Sequence, residues 1–173
     1  RKEKVDDMVA LMSAAGLHLK VLDVASYAAQ AAAQRLIDSL PHQGRDAMIA
    51  LVHVGAASTY MYIVRNGEVL FEREQPFGGL HLTQHIARLY GMTQEEAESK
   101  KMAGQLPDDY TEVILQPFIE RLAQEMQSAL QFFYSSTPYS RVDYVLLSGG
   151  SASLPKLNDA VTQATGAACL LTN

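Results

Sequence analysis

Asn66-Gly67 stands between two short runs, Ser58 to Val64 and Glu68 to Arg73. That dipeptide supplies the positive φ angles a type I′ turn requires, so the runs must pair as an antiparallel hairpin. A third run, Met48 to Val54, lies just upstream and extends the hairpin to three strands. VDYVLLS (Val142 to Ser148) is nearly continuous in apolar residues, the pattern of a strand covered on both faces. Between them, Leu80 to Tyr90 and Thr93 to Met102 are helical, the second opened by a Thr93/Glu96 capping box. Tyr110 to Ser135 places Ile114, Phe118, Leu122, Met126, Leu130 and Phe133 on one stripe, a helix packed flat on a sheet. Pro117 falls near its start, where a proline does least harm. A helix over Leu154 to Thr165, with Ser153 as cap and Pro155 in its first turn, leads to a last strand, Ala168 to Leu171.

The order from Met48 onward is therefore β-β-β-α-α-α-β-α-β. It predicts an α/β fold: a mixed five-stranded sheet with helices on its faces, the layout of a ribonuclease-H-like lobe. Upstream, residues 3 to 15 carry Val5, Met8, Val9 and Met12 at helical spacing, with Gly16 as the stop. Leu17 to Val24 alternates and predicts a strand. Ser26 to Leu40 is an alanine-rich helix, and the polar segment His42 to Asp46 is the expected hinge.

Composition excludes several classes. The net charge of -5 lacks the basic excess of a nucleic-acid footprint, and the basic run Arg1 to Asp6 is too short to change that. One cysteine, Cys169, permits neither an internal disulfide nor a cysteine-based zinc site and agrees with a reducing compartment. No apolar stretch reaches about 20 residues, and no signal peptide is present. Arg1 in place of methionine, and a strand running almost to Asn173, predict a piece of a longer protein.

Four segments carry candidate chemistry. HVGAAST (His53 to Thr59) is a glycine-bearing turn in which Gly55 and Ala56 expose amides and Ser58 and Thr59 add hydroxyls. That is either a phosphate cradle or an ordinary hairpin. LLSGGSASLP (Leu146 to Pro155) ends a buried strand in Gly149, Gly150 and Ser151, at the strand end where α/β sheets bind ligands. A tight strand-to-helix connection is the alternative. In FGGLHLTQHI (Phe77 to Ile86), Gly78 and Gly79 precede a helix whose amides could meet an anion. His81 and His85 there have metal-ligand spacing but no acidic or cysteine partner. EEAESKK (Glu95 to Lys101) could hold a ribose with Glu98 and an adenine against a lysine stem, or be a solvated helix with ion pairs.

Together with EKVDDMVALMSAAGL, VLDV, REQPFGGLHLTQHI, ALQFFYSS and VDYVLLSGGSASLPKL, these segments resemble the PilM family of actin-like ATPases in type IV pilus assembly. The filament protein FtsA is a more distant likeness. The resemblance runs almost from end to end. It implies residues 1–20 as the tail of an inserted subdomain, 21–46 as part of a first lobe and 47–173 as most of the second lobe. It implies ATP with Mg2+ in the cleft: Gly55, Ala56, Ser58 and Thr59 at the β- and γ-phosphates, Gly78 and Gly79 nearby. Glu98 and Lys101 would flank the nucleoside, and Gly149, Gly150 and Ser151 would meet it through backbone. The implied partners are the cytoplasmic tail of PilN, through it PilO and PilP, the pilus motor ATPases, and further copies of the chain. The implied location is the cytoplasmic face of the inner membrane.

Two departures weaken the expected catalysis. His53 stands where the family carries an aspartate that organises magnesium, and Ala25 stands where relatives often have an acidic residue. Losing one positioned catalytic group costs about two to four powers of ten in rate. The expectation is a nucleotide-binding scaffold with weak or no ATP hydrolysis. An active ATPase, a sugar-kinase-like phosphotransferase and an FtsA-like filament protein are the alternatives. A piece lacking the first phosphate loop is expected to bind nucleotide poorly.

Overall fold

The computed structural model describes residues 2–172, so the ends of the predicted outer segments, Arg1 and Asn173, lie outside it. Helix α1 (Lys2–Ala14) and helix α2 (Ala25–Ser39) lead to strands β1 (Ile49–Val54), β2 (Thr59–Arg65) and β3 (Glu68–Gln75). Helices α3 (Gly79–Tyr90), α4 (Gln94–Ala103) and α5 (Gln116–Ser136) follow, then β4 (Tyr144–Ser148), α6 (Leu157–Thr165) and β5 (Ala168–Leu171).

The sheet has five strands in the order β3-β2-β1-β4-β5. The first three pair antiparallel, and β4 joins β1 in parallel before β5 joins β4 in parallel. The turn at Asn66 (φ 49°) and Gly67 (φ 83°) is left-handed at both residues, as the type I′ hairpin needs. Because strand side chains alternate, β1 feeds two cores. Ala50, Val52 and Val54 join Met61, Ile63, Val145 and Leu147 against α5 and α6. Ile49, Leu51, Tyr62, Val64 and Leu146 face Ala33, Ile37 and Leu40 from α2 and the residue after it. The predicted stripe of α5 is buried along its whole length. Upstream of α5, Thr111–Leu115 is a π-helical turn. Pro117 has no N–H for a carbonyl four residues back, and the wider turn accommodates the missing bond.

Three expectations are corrected. Leu17 to Val24 is not a strand: among the described residues no strand lies beside it, and Leu17, Val21, Leu22 and Val24 are exposed. Alternation selects which side chains share a face, but a strand exists only where a neighbour takes its backbone bonds. Ser153 does not cap α6. Its hydroxyl meets the Gly150 carbonyl at 3.4 Å, and the residue before the helix is Lys156, in the left-handed region at φ 64°. Pro155 consequently lies in the preceding turn rather than in the helix.

The end of α1 follows expectation. Gly16 (φ 72°) donates to Ser13 and Leu17 donates to Met12, a Schellman closure of the helix. Its Val5, Met8 and Val9 remain 43–47% exposed, and among the described residues α1 has none that is fully buried. Among the described residues no helix is long and apolar enough to cross a membrane.

Candidate functional site

Parallel pairing of β1 with β4 sets His53 opposite Ser148. The turn after each strand therefore emerges at the same edge of the sheet. The Gly149 turn packs directly on β1: its φ is +94°, and a Cβ there would run into the Val54 carbonyl. A third turn closes the group, because a Cβ on Gly78 would lie within 2.6 Å of the Gly55 and Ala56 carbonyls and one on Gly79 would meet the Ser151 hydroxyl. Gly55, Gly78, Gly79, Gly149 and Ser151 thus form one contiguous patch.

The hydrogen bonds separate the amides that hold this patch together from those left open. Gly79 donates to the Gly55 carbonyl at 3.0 Å and Leu80 to the Ala56 carbonyl at 2.8 Å. Gly78 donates to Nδ1 of His81 at 3.2 Å. The first amides of α3 are therefore engaged inside the protein, and Gly78 and Gly79 support the 55–58 turn rather than offering donors to an anion. Gly55 itself donates to the Ser58 carbonyl at 3.0 Å. Among the described residues, no hydrogen bond uses the amides of Ala56, Ala57 or Ser58, nor those of Gly150 and Ser151. Ala56, Ala57 and Gly150 are exposed, and nothing lies within 4 Å of a Cβ placed on Gly150. Two groups of amides without a partner among the described residues thus lie at one end of the sheet, and such groups of donors can serve an anion.

Thr59 is not part of that surface. It is buried, and its hydroxyl donates to the Phe77 carbonyl at 2.7 Å, tying β2 to the entry of α3. Thr83, which sequence reasoning missed, organises the charged pair on α4. Its hydroxyl is 2.5 Å from Glu98 Oε2, while Lys101 Nζ donates to Glu98 at 2.6 Å and to Thr83 at 2.9 Å. The helical spacing of Glu98 and Lys101 was legible, but a threonine on a different helix carried no local signal. Hydrogen bonds from Lys101 first, then Thr83, hold the Glu98 carboxyl below its ordinary range.

A lowered carboxylate favours the folded state above the ordinary carboxylate pKa, and that contribution is lost as pH falls through the folded-state value. Urea unfolding of the wild type and of Glu98→Gln from about pH 7 to about pH 3 should show the two differing at neutral pH and converging in acid. Glu98 is 50% exposed, so solvent screening keeps the difference under about 1 kcal/mol. A constant difference across the range would remove the ion pair as its cause.

Beside the open amides, a cavity of about 680 Å³ lies between α2 and the sheet, bordered by Ala29, Ala33, His53, Tyr60, Ser148 and Gly149. His53 is exposed, and its Nδ1 lies 3.1 Å from the Ser148 hydroxyl. The residues lining the cavity offer an imidazole, two phenols and two hydroxyls but no carboxylate. Magnesium selects oxygen ligands, carboxylates foremost, so these residues do not fit it. Among the described residues no cluster of three or more His, Cys, Asp or Glu could hold a metal. The His81/His85 pair lacks a third ligand, and His81 already accepts from Gly78. Cys169 is buried, and burial raises its thiol to about 11.

The fold agrees with known proteins. The family model for type IV pilus assembly protein PilM matches residues 1–173. Among solved structures the chain is similar to one from a PilM-PilN type IV pilus biogenesis complex, at 26% identity and TM-score 0.80, covering 100% of this chain and 48% of that one. It thus spans about half the length of that relative. It is similar in fold to the ethanolamine utilization protein EutJ from Carboxydothermus hydrogenoformans, at 21% identity and TM-score 0.66, covering 94% and 54% of the two chains. MreB 5 of Spiroplasma citri bound to AMPPNP is similar at 12% identity and TM-score 0.68, covering 99% and 59%. The sheet order with its helices is accordingly that of the actin-like ATPase fold, and the chain belongs to the PilM family of type IV pilus assembly proteins.

Proposed function

We propose that the protein is a nucleotide-binding scaffold of the type IV pilus inner-membrane platform, which captures the cytoplasmic tail of PilN and hydrolyses ATP weakly or not at all. The observation that carries this is the convergence of two sets of open amides, at Ala56–Ser58 and Gly150–Ser151, on one sheet edge. The likeness to a chain from a PilM-PilN complex supports the partner. The likeness to an AMPPNP-bound MreB supports the ligand through the shared fold. Residues 1–20 are assigned to an inserted subdomain, 21–46 to a first lobe and 47–173 to the second lobe. PilO, PilP and the motor ATPases are reached through PilN at the cytoplasmic face of the inner membrane, with self-association an additional property.

In this reading the amides of Ala56 to Ser58 hold the β- and γ-phosphates, with the Ser58 hydroxyl beside them. Gly150 and Ser151 meet the nucleoside through backbone, and Glu98 and Lys101 flank it. Neither His53 nor the apolar Ala25 supplies the carboxylate that would position magnesium and an attacking water. Binding by backbone amides and shape is therefore retained while turnover is not. ATP titrated calorimetrically into the intact protein should bind, with no phosphate released afterwards. Turnover near about 1 per second would overturn the scaffold in favour of a working ATPase. His53→Asp should make binding respond to magnesium, and an unchanged response would remove the loop from the phosphate site.

A further inference from the structure

We infer that the pocket between α3 and the start of α5 is a docking site for an acidic segment of a partner protein, held by Arg88, Arg121, His81 and His85. The pocket lies outside the groups assigned to the nucleotide and does not rest on that reading.

The cavity measures about 450 Å³. Helix α3 contributes His81, Gln84, His85 and Arg88 to it, and α5 contributes Pro117, Phe118 and Arg121. No carboxylate lines it, although in the whole chain 19 acidic residues outnumber 14 lysines and arginines. The carboxylates nearest Arg121 along α5 are engaged elsewhere. Glu120 accepts from Gln116 at 3.1 Å, and Glu125 accepts from Gln75 at 2.6 Å. Among the described residues neither Arg88 nor Arg121 forms an ion pair. An acidic chain thus gathers two guanidinium charges and two imidazoles in one place, and a partner of opposite charge is what complements them.

The donors are partly fixed in advance. The Arg121 guanidinium lies over the Phe77 ring, 4.6 Å from its centroid. Phe77 is buried and stacks on Phe118 at 5.1 Å. A guanidinium seated on a fixed ring has less freedom to lose on meeting a carboxylate. His81 is set by the backbone. The Gly78 N–H donates to its Nδ1 at 3.2 Å, and a backbone N–H can only donate. The neutral ring therefore carries its proton on Nε2, where it is a donor.

Spacing selects the kind of anion. His81, His85 and Arg88 stand at i, i+4 and i+7 on α3, so their positions span about 10 Å of helix. One phosphate group cannot serve both ends of such a row. An extended chain with acids at alternate positions sets successive carboxylates about 7 Å apart on one side. The apolar walls at Phe77, Pro117 and Phe118 suit the methylene stems of glutamates, whose carboxylates then meet the cations.

The test is an NMR titration of the intact protein with a short peptide of alternating Glu and Ala. Its Gln-for-Glu counterpart, inorganic phosphate and phosphatidylglycerol vesicles are titrated in parallel. The Glu peptide should shift amides on both walls, in residues 77–88 and 117–121. Its affinity should fall as salt rises from about 50 to about 300 mM. Arg88 and Arg121 are exposed, so replacing them together by Arg88→Gln and Arg121→Gln keeps the fold and should weaken the peptide about tenfold or more. His81 stays unchanged because it also holds Gly78. Equal binding of the Gln peptide, or full affinity in the double variant, would overturn the inference. Tighter binding of phosphate would make the pocket a small-anion site instead, and preference for vesicles would make it a membrane contact. Self-association of the wild type that the double variant abolishes would assign the pocket to a second copy. Absence of peptide binding would leave no docking site there, whatever the outcome with ATP.

Discussion

Phe133→Ala should lower the unfolding free energy by about 3–5 kcal/mol, read from the shift of the urea midpoint at constant slope. Phe133 is fully buried on the sheet-facing side of α5. Its ring meets Phe71 of β3 at 5.5 Å, Tyr134 at 5.7 Å and Tyr139 at 5.9 Å between centroids. Truncation removes the transfer energy of a whole ring and leaves a void that three rigid aromatics close poorly. Phe132, its neighbour, is 56% exposed and touches Phe71 only at 6.1 Å, so Phe132→Ala should cost much less. Equal losses from the two would mean that α5 is not held by this stripe.

Gly149→Ala and Gly150→Ala should differ sharply although they exchange the same atoms at adjacent positions. At Gly149 the backbone is left-handed (φ +94°) and the new Cβ would be driven into the Val54 carbonyl, which belongs to a paired strand and cannot move aside cheaply. Strain and displacement together should cost about 3 kcal/mol or more. At Gly150 the same Cβ meets open space, and the loss should stay within about 0.5 kcal/mol. Thermal unfolding of both variants decides it. In ligand titrations their order should reverse in meaning: Gly150→Ala leaves the fold intact, so any loss of nucleotide affinity there reports the ligand surface alone.

Much of this molecule was legible because its decisive signals are local. The Asn66-Gly67 turn, the Thr93/Glu96 box and the α5 stripe each state their geometry within a few residues, and each is found as expected. Leu17 to Val24 has an equally clear alternation and forms no strand, because pairing depends on a neighbour that no short window contains. The start of α6 was misplaced for a similar reason. A proline and a serine imitate a cap, while the turn is set by Gly149 settling on Val54. At the site, the glycines were visible but their reasons were not. Gly78 and Gly149 are required by one turn packing on another, Gly79 meets only the movable Ser151 hydroxyl, and of the site glycines Gly150 is bare toward the outside. Thr83 and Ser148 have ordinary sequence contexts, and their importance appears only when α4 and β1 are brought beside them.

His53 and Ser148 are 95 residues apart in the chain, yet side by side in the sheet. The β1–β2–β3 meander can form from short-range encounters, whereas the β1–β4 ladder requires a long loop to close first. The two halves of the donor surface are therefore not brought together in a chain that has opened between those strands. A nucleotide held across both halves would stabilise only molecules in which the ladder is shut. Amide exchange in β4 and β5 should slow more on loading than exchange in the early hairpin, making the far end of the sheet the place where occupancy is registered.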